Sequence, residues 1–236
     1  MNQTLNVDDA EIAKFDALAA RWWDPDGEFR PLHEINPLRA NWIDQHSPVA
    51  GKNLLDVGCG GGILAESMAQ RGASVTAIDM GEGPLSVARL HQLESGVEVD
   101  YLRSTAEELA TAMPAQFDIV CCLEMLEHVP DPGAVIQACA DLTKPGGTLY
   151  FSTINRNPKA FLFAIVGAEH ILRLLPPGTH EYEKFIRPSE IAQWIRDAGL
   201  EMHAMTGLTY NPLNKRYRLV KDDVSVNYMV HASKPE

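Results

Sequence analysis

Basic residues are scarce in this chain: 20 lysines and arginines face 32 aspartates and glutamates among 236 residues, a formal net charge of −12. Nucleic-acid binding needs a cationic footprint against phosphate, so no nucleic-acid partner is expected. Docking on an anionic membrane by charge alone is disfavoured for the same reason. Cysteines are few, and Cys59, Cys121, Cys122 and Cys139 show no C-x-x-C pairing, so they read as buried thiols of a reducing compartment. The uncharged run at 160–168 falls far below the ~20 residues that a transmembrane helix requires. The start of the chain, with Asp8, Asp9 and Glu11, lacks the basic and apolar regions of a signal peptide. Internal repeats and low-complexity segments are missing. The expected location is cytoplasmic, and the length suits one α/β domain with additions.

What the chain does have is glycine in one place. Leu54-Leu55-Asp56-Val57 reads as the end of a buried strand, Gly58-Cys59-Gly60-Gly61-Gly62 as a tight turn, and Leu64 onward as a helix. Such a unit places a ligand at the helix N-terminus and the strand's carboxyl end, where backbone must come close. A dinucleotide fingerprint wants glycines at first, third and sixth places, but the sixth place after Gly58 is Ile63. The pattern is G-x-G-x-G with Asp56 ahead of it, which resembles motif I of the class I S-adenosylmethionine-dependent methyltransferases. A second strand ends in Asp79, an acid placed to accept hydrogen bonds from both ribose hydroxyls. The plain alternative is an ordinary glycine-rich turn with a surface Asp.

From 53 to 153 the pattern alternates strand and helix, as a parallel sheet covered on both faces requires. Strands are expected at 53–57, 74–78, 97–102, 117–123, 147–153, 202–208 and 224–231. Before them, residues 8–23 read as an amphipathic helix capped by Asp8, with Glu11 completing a variant capping box. Ile12, Phe15, Ala19 and Trp22 share its packing face, and Trp22-Trp23 read as core more readily than as a stacking platform. A second short helix ends near Ser47. The expected plan is a single domain over 1–236: a helical cap (1–50), a cofactor-binding core (51–153), an insertion (154–187) and a C-terminal helix with strands (188–236). The apolar insertion, centred on 160–176 and broken by Pro176-Pro177-Gly178, reads either as a core helix or as a lid meeting greasy substrate or membrane.

The chemistry candidates follow the fourth strand. If a helix begins there, Glu124, Glu127 and His128 stand at i, i+3 and i+4 and share a face. Two carboxylates and an imidazole could hold a divalent cation, Mg²⁺ or Zn²⁺, that stabilises a phenol's oxyanion. His128 could instead be a general base, or simply a structural residue at a strand end. On the other side, Met80 follows Asp79, and Ala106-Glu107 fall where this fold meets adenine, although Glu107 could equally be a solvated acid beside Glu108.

At greater length the chain is similar to the ubiquinone biosynthesis O-methyltransferase family. The resemblance is carried by RWWD at 21–24, FRPLHEINPLR at 29–39, LLDVGCGGGILAESMA at 54–69, LEMLEHVPDP at 123–132, FSTINRN at 151–157, VGAEHILRLLPPGTH at 166–180 and TGLTYNP at 206–212. It implies a Rossmann-like α/β fold with a seven-stranded, mostly parallel sheet whose last strand is antiparallel. It implies S-adenosylmethionine as methyl donor and a polyprenylated catechol or demethylubiquinol as acceptor. Cofactor contacts fall on Arg39, Gly58, Asp79 and Leu123, joined by Asp56 and Gly60 of the glycine motif and by Met80, Ala106 and Glu107. The catalytic, metal-binding positions of some members fall on Glu124, Glu127 and His128. Other implied partners are a transient membrane surface, peripheral on the inner membrane, and other ubiquinone-biosynthesis proteins. The competing readings are a methyltransferase for another apolar phenol and a non-catalytic adenosyl-binding scaffold.

Overall fold

Residues 5–162 and 181–236 are described here, from a computed structural model. The expected lid at 160–176 therefore lies mostly outside the described residues. Only its start is seen: Ala160 is buried, while Phe161 and Leu162 are 43% and 54% exposed.

The apolar runs become strands because a sheet covered on both faces buries every residue of its central strands. Thus β1 (Asn53–Val57), β4 (Phe117–Leu123) and the inner part of β5 (Thr143–Ile154) are largely buried, and β2 (Ser74–Asp79) buries Val75, Ala77 and Ile78. Helices α3 (Ile63–Gln70), α4 (Glu82–Ser95), α5 (Ala106–Ala112) and α6 (Pro132–Leu142) cross between strands, the connection that parallel pairing demands. With β3 (Val99–Arg103), β6 (Glu201–Asn211), β7 (Arg216–Lys221) and β8 (Asn227–Ser233), the sheet runs β3-β2-β1-β4-β5-β8-β6-β7. The first five strands pair in parallel, and β8 lies antiparallel between β5 and β6. This is the expected Rossmann-like sheet with one difference. It has eight strands, because residues 216–221 pair with β6 instead of forming a linker. Three cations in six residues hid that strand, and it sits at the sheet edge where such charge is tolerated.

Two apolar layers sandwich the sheet. Leu126, Ile136, Leu142 and Phe151 lie in one, Ile43, Leu54, Met68 and Leu85 in the other. Helix α7 (Pro188–Asp197) buries Ile191 and Ile195 in the first layer and is followed by Gly199 at φ +72°.

Ahead of β1, α1 (Asp9–Leu18) and α2 (Arg30–His46) form the cap. The second helix is longer than expected, at 17 residues, with Pro31 in its first turn and Pro37 in its interior. Asp8 caps α1 through the backbone N–H groups of Ala10 and Glu11. Glu11 does not complete the capping box, because its carboxylate is engaged far away in sequence. Trp22 is core as expected, stacked on Phe29 at 3.9 Å between ring centroids, and packed against Ile63. Among the described residues no helix is long and apolar enough to cross a membrane.

Candidate functional site

In a sheet of this order the chain leaves β1 toward β2 on one side and β4 on the other, and a crevice opens at the strands' carboxyl ends. A cavity of about 1060 Å³ occupies it, roofed by Phe15 and Trp22 of the cap and flanked by Tyr210 and Tyr217 of the β6–β7 hairpin. Arg39, Asp56, Gly58, Gly60, Asp79, Met80, Ala106, Glu107, Leu123, Glu124, Glu127 and His128 all line it.

The glycine turn begins as β1 ends. Gly58 and Gly60 have φ of +72° and +52°, which a side chain resists. The close approach is made by protein: a Cβ on Gly60 would stand 2.1 Å from Trp22 Cζ2, and one on Gly58 2.4 Å from Met125 Cγ. Trp23 adds to this from the cap by donating its indole N–H to the Gly61 carbonyl at 2.8 Å. Asp79, at the end of β2, accepts from the N–H groups of Gly60 (2.9 Å) and Gly81 (2.8 Å), one on each oxygen. Each oxygen keeps a lone pair for a ligand hydroxyl. Burial pushes the Asp79 carboxyl up from its usual range. Asp56 is more extreme: burial, then the Asp79 charge, push it up to about 7, and its Oδ2 is buried without a hydrogen-bond partner. Thr105 and Glu108 form the capping box that starts α5, while Glu107 is held by Asn6, whose Nδ2 donates to Oε1 at 2.9 Å. Glu107 is thus not merely a solvated acid.

These donors and acceptors fit an adenosyl cofactor. Asp79 can take ribose hydroxyls, and the unpartnered Asp56 oxygen suits a cationic or hydrogen-bonding ligand.

At the far end, the expectation that Glu124, Glu127 and His128 share a helix face is corrected. Only a single 3₁₀ turn, Leu126–His128, forms there, and Glu124 precedes it at φ +54°. The three side chains go to different partners. Glu124 Oε1 accepts from Arg39 Nη2 (2.5 Å), Ser152 Oγ (2.6 Å) and Asn227 Nδ2 (3.0 Å). Glu127 is buried and accepts from Thr153 Oγ1 at 2.8 Å, and burial together with the Glu124 charge pushes its carboxyl up. His128 Nδ1 lies 2.8 Å from Glu11 Oε2. Among the described residues no group of three or more His, Cys, Asp or Glu is placed to hold a metal ion. The expected Mg²⁺ or Zn²⁺ finds no shared point here, since Glu124, Glu127 and the Nδ1 of His128 face separate partners, Arg39, Thr153 and Glu11.

Sequence reasoning missed Glu11, Ser152, Thr153 and Asn227. Glu11 did give a signal, an acid in an apolar helical face, but local capping absorbed it.

The comparisons agree with this geometry. A family profile described as a methyltransferase domain matches residues 17–205. Ubiquinone biosynthesis O-methyltransferases of Saccharophagus degradans and Pseudomonas paraeruginosa are 68% and 69% identical over 232 and 229 residues. The first alignment covers 98% of each chain, the second 97% of this chain and 98% of the relative. Among solved structures, a magnesium protoporphyrin IX methyltransferase from Synechocystis with bound SAM superposes with a TM-score of 0.65 at 18% identity, covering 99% of this chain and 100% of that one. A SAM-dependent methyltransferase from Aquifex aeolicus gives 0.62 at 16%, covering 95% and 97%. The two structures share the fold. The sequence relatives, alike from end to end, settle the rest: the chain belongs to the ubiquinone biosynthesis O-methyltransferase family.

Proposed function

We propose that this cavity transfers the methyl group of S-adenosylmethionine to a phenolic hydroxyl of polyprenylated catechol and demethylubiquinol intermediates in ubiquinone biosynthesis. The observation that carries the reading is the near-full-length match to O-methyltransferases of that pathway, on a chain whose glycine turn, Asp79 and acid–histidine cluster line one cavity.

S-adenosylmethionine supplies an already activated methyl on a sulfonium. The phenol oxygen attacks the methyl carbon in line, the carbon–sulfur bond breaks, and a neutral thioether leaves. The protein's own work is to align the two reactants and to remove one proton. Deprotonating a phenol of pKa ~10 at pH 7 costs ~4 kcal/mol without help, and alignment with water exclusion supplies much of the remaining rate. His128 is the group that takes the proton: it lines the cavity, and its Nε2 has no partner among the described residues. Glu127 is poorly suited, since burial favours its protonated form. Glu124 holds Arg39 and orders the floor of the site through Ser152 and Asn227.

The acceptor's tail favours a peripheral encounter with the membrane. At ~0.8 kcal/mol per buried CH₂, a polyprenyl substrate stays in the bilayer. Leu162 lines the cavity and is 54% exposed, placing apolar surface where a tail would enter.

The test is a methylation assay with purified protein, labelled S-adenosylmethionine and a short-chain prenyl catechol, before and after exhaustive chelation. Labelled methyl ether at equal rates in both arms is expected. No transfer to any prenylated catechol overturns the substrate reading. Loss on chelation with recovery in Mg²⁺ or Zn²⁺ overturns His128 as sole activator and restores the metal.

A further inference from the structure

We infer that Tyr210 and Tyr217, facing each other on the β6–β7 hairpin, form the acceptor-binding wall of the cavity: their rings hold the phenol ring, and the Tyr217 hydroxyl donates to the oxygen beside the one that is methylated. The inference rests on the proposed O-methylation of a catechol, and it names the residues that select that acceptor. It does not depend on which group takes the proton.

Topology carries the hairpin to the cavity. Strand β8 runs antiparallel to β5, and β6 antiparallel to β8, so β6 runs with the parallel strands and ends at their carboxyl edge. That edge is where the crevice lies. The cofactor end is built on β1 and β2, whereas β6 and β7 lie beyond β4, β5 and β8 on the other side. Register then sets the face. Asn227 stands opposite Ile154 on β5 and Leu208 on β6, and Tyr210 lies two residues beyond Leu208. Alternate residues of a strand share a face. Ile154, Asn227, Leu208 and Tyr210 therefore point to one side of the sheet, the side on which Asn227 meets Glu124. Tyr217 joins them as the direct cross-strand partner of Tyr210, and all five residues line the cavity.

The pair differs from the rest of its hairpin. Arg216, Arg218 and Lys221 are exposed, and Leu213 at the turn is 94% exposed, yet Tyr210 and Tyr217 are half-buried. Their ring centroids are 4.8 Å apart at 48°, so the rings are tilted and not closed face to face. Such a pair accepts a third aromatic ring at a centroid distance of roughly 4.5–7 Å. Helix α2 packs against β7 and adds Pro31, Leu32 and Ile35 to the same cavity, an apolar surface for the ring and its first prenyl carbons. The Tyr217 hydroxyl has no hydrogen-bond partner among the described residues. Of the charged groups around it, Arg30 is paired with Glu34 at 2.7 Å and Arg39 with Glu124. Burial pushes the hydroxyl up to about 12, so it keeps its proton and can donate. A catechol offers the matching acceptor, a second oxygen next to the one that attacks. A cross-strand aromatic pair can also serve only to hold a hairpin together. The hydroxyl distinguishes the two roles, because ring packing does not use it.

The experiment uses the full chain, labelled S-adenosylmethionine and two short-chain acceptors. One is a prenyl catechol, the other the same prenyl phenol without the second hydroxyl, taken as substrate or as competitive inhibitor. Tyr217→Phe keeps both rings and removes one hydroxyl. KM for the catechol is expected to rise about threefold to tenfold, the worth of one hydrogen bond. The KM or inhibition constant of the phenol, and KM for S-adenosylmethionine, are expected to stay within about twofold of wild type. Equal changes for both acceptors, or none for either, overturn the role of the hydroxyl. Tyr210→Leu removes a ring, so both acceptors are expected to weaken alike by about threefold to tenfold, with the cofactor again within about twofold. Unchanged acceptor binding, or an equal loss for the cofactor, overturns the wall. Nuclear Overhauser contacts from acceptor ring protons to the Tyr210 and Tyr217 rings, with S-adenosylhomocysteine bound, give a readout that needs no variant. Their absence in the wild-type protein overturns the inference even if neither variant folds. A wild type that methylates no prenylated catechol overturns the proposed function itself. A wild type that does so, beside two variants that match it on both acceptors, overturns only the tyrosine wall.

Discussion

The two ends of the cavity treat their carboxyl groups in opposite ways. Beneath the glycine turn, Asp56 is buried and Asp79 half-buried, neither in an ion pair, and desolvation drives both upward. At the β4 end, Glu11 is pinned between His128 and Lys184 and driven downward, and Glu124 is paired with Arg39. Glu127 stands apart there, pushed up between burial and the Glu124 charge. The first end is thus a receptor that gains from a ligand carrying positive charge, as a sulfonium with its amino group does. The second is assembled from the protein's own charges before any substrate arrives. Binding and activation are separated along one crevice, and Arg39 links them, because it lines the cavity while spending a guanidinium nitrogen on Glu124.

The strongest break in this division is Gly60→Val. The added Cβ meets the Trp22 ring at 2.1 Å on a backbone at φ +52°. Overpacking and left-handed strain together cost roughly 3 kcal/mol. Since Trp22 belongs to the cap, both ends should fail together, with no measurable S-adenosylmethionine binding in calorimetry and a lowered denaturation midpoint. A folded variant that binds the cofactor normally would mean that the cap does not rest on the turn in solution.

Paired substitutions sharpen the division. Asp79→Ala removes a charge-assisted acceptor and should weaken cofactor binding by ~1–3 kcal/mol, with kcat at saturating cofactor changed much less. Glu124→Gln should do the reverse, lowering kcat about tenfold while cofactor affinity stays within about twofold. If Glu124→Gln alters affinity as much as Asp79→Ala does, Arg39 ties the two ends into one unit and the separation is wrong.

The same division explains what the sequence disclosed. The cofactor end is made from a short stretch of chain, with Asp56, Gly58, Gly60 and Asp79 at consecutive strand ends, so their spacing alone carried the geometry. Strands β1 and β4 were legible to the residue because their apolar runs end at turn or polar residues on both sides. The activation end joins Glu11, Arg39, Ser152 and Asn227 to the segment 124–128, and no local pattern encodes contacts spanning 28 to 117 positions. Helical spacing misled at Glu124 because its positive φ ends the strand in a turn, which the i, i+3, i+4 rule cannot foresee. Strand β7 was lost for a related reason, since alternating charge on an edge strand looks like a linker.

The smallest expected effect tests the electrostatic contrast itself. Asp56 rises from 3.8 to about 7 in the folded chain. Between those values the folded chain holds a proton that the unfolded chain has released, so this group's contribution to stability is present below the lower value and lost as pH rises through the upper one. Cofactor affinity should run the other way, because a cationic ligand prefers the ionised carboxylate. From pH 6 to pH 8 the affinity for S-adenosylmethionine should rise about tenfold, the limit for one proton released near pH 7. In Asp56→Asn the affinity should be weaker at pH 8 but nearly flat across that range, and the ligand-free denaturation midpoint should stop falling with rising pH. Titration calorimetry at several pH values in two buffers of different ionisation enthalpy would count the proton directly. A slope that survives in Asp56→Asn assigns the proton to Asp79, and no slope in the wild type removes the contrast between the two ends.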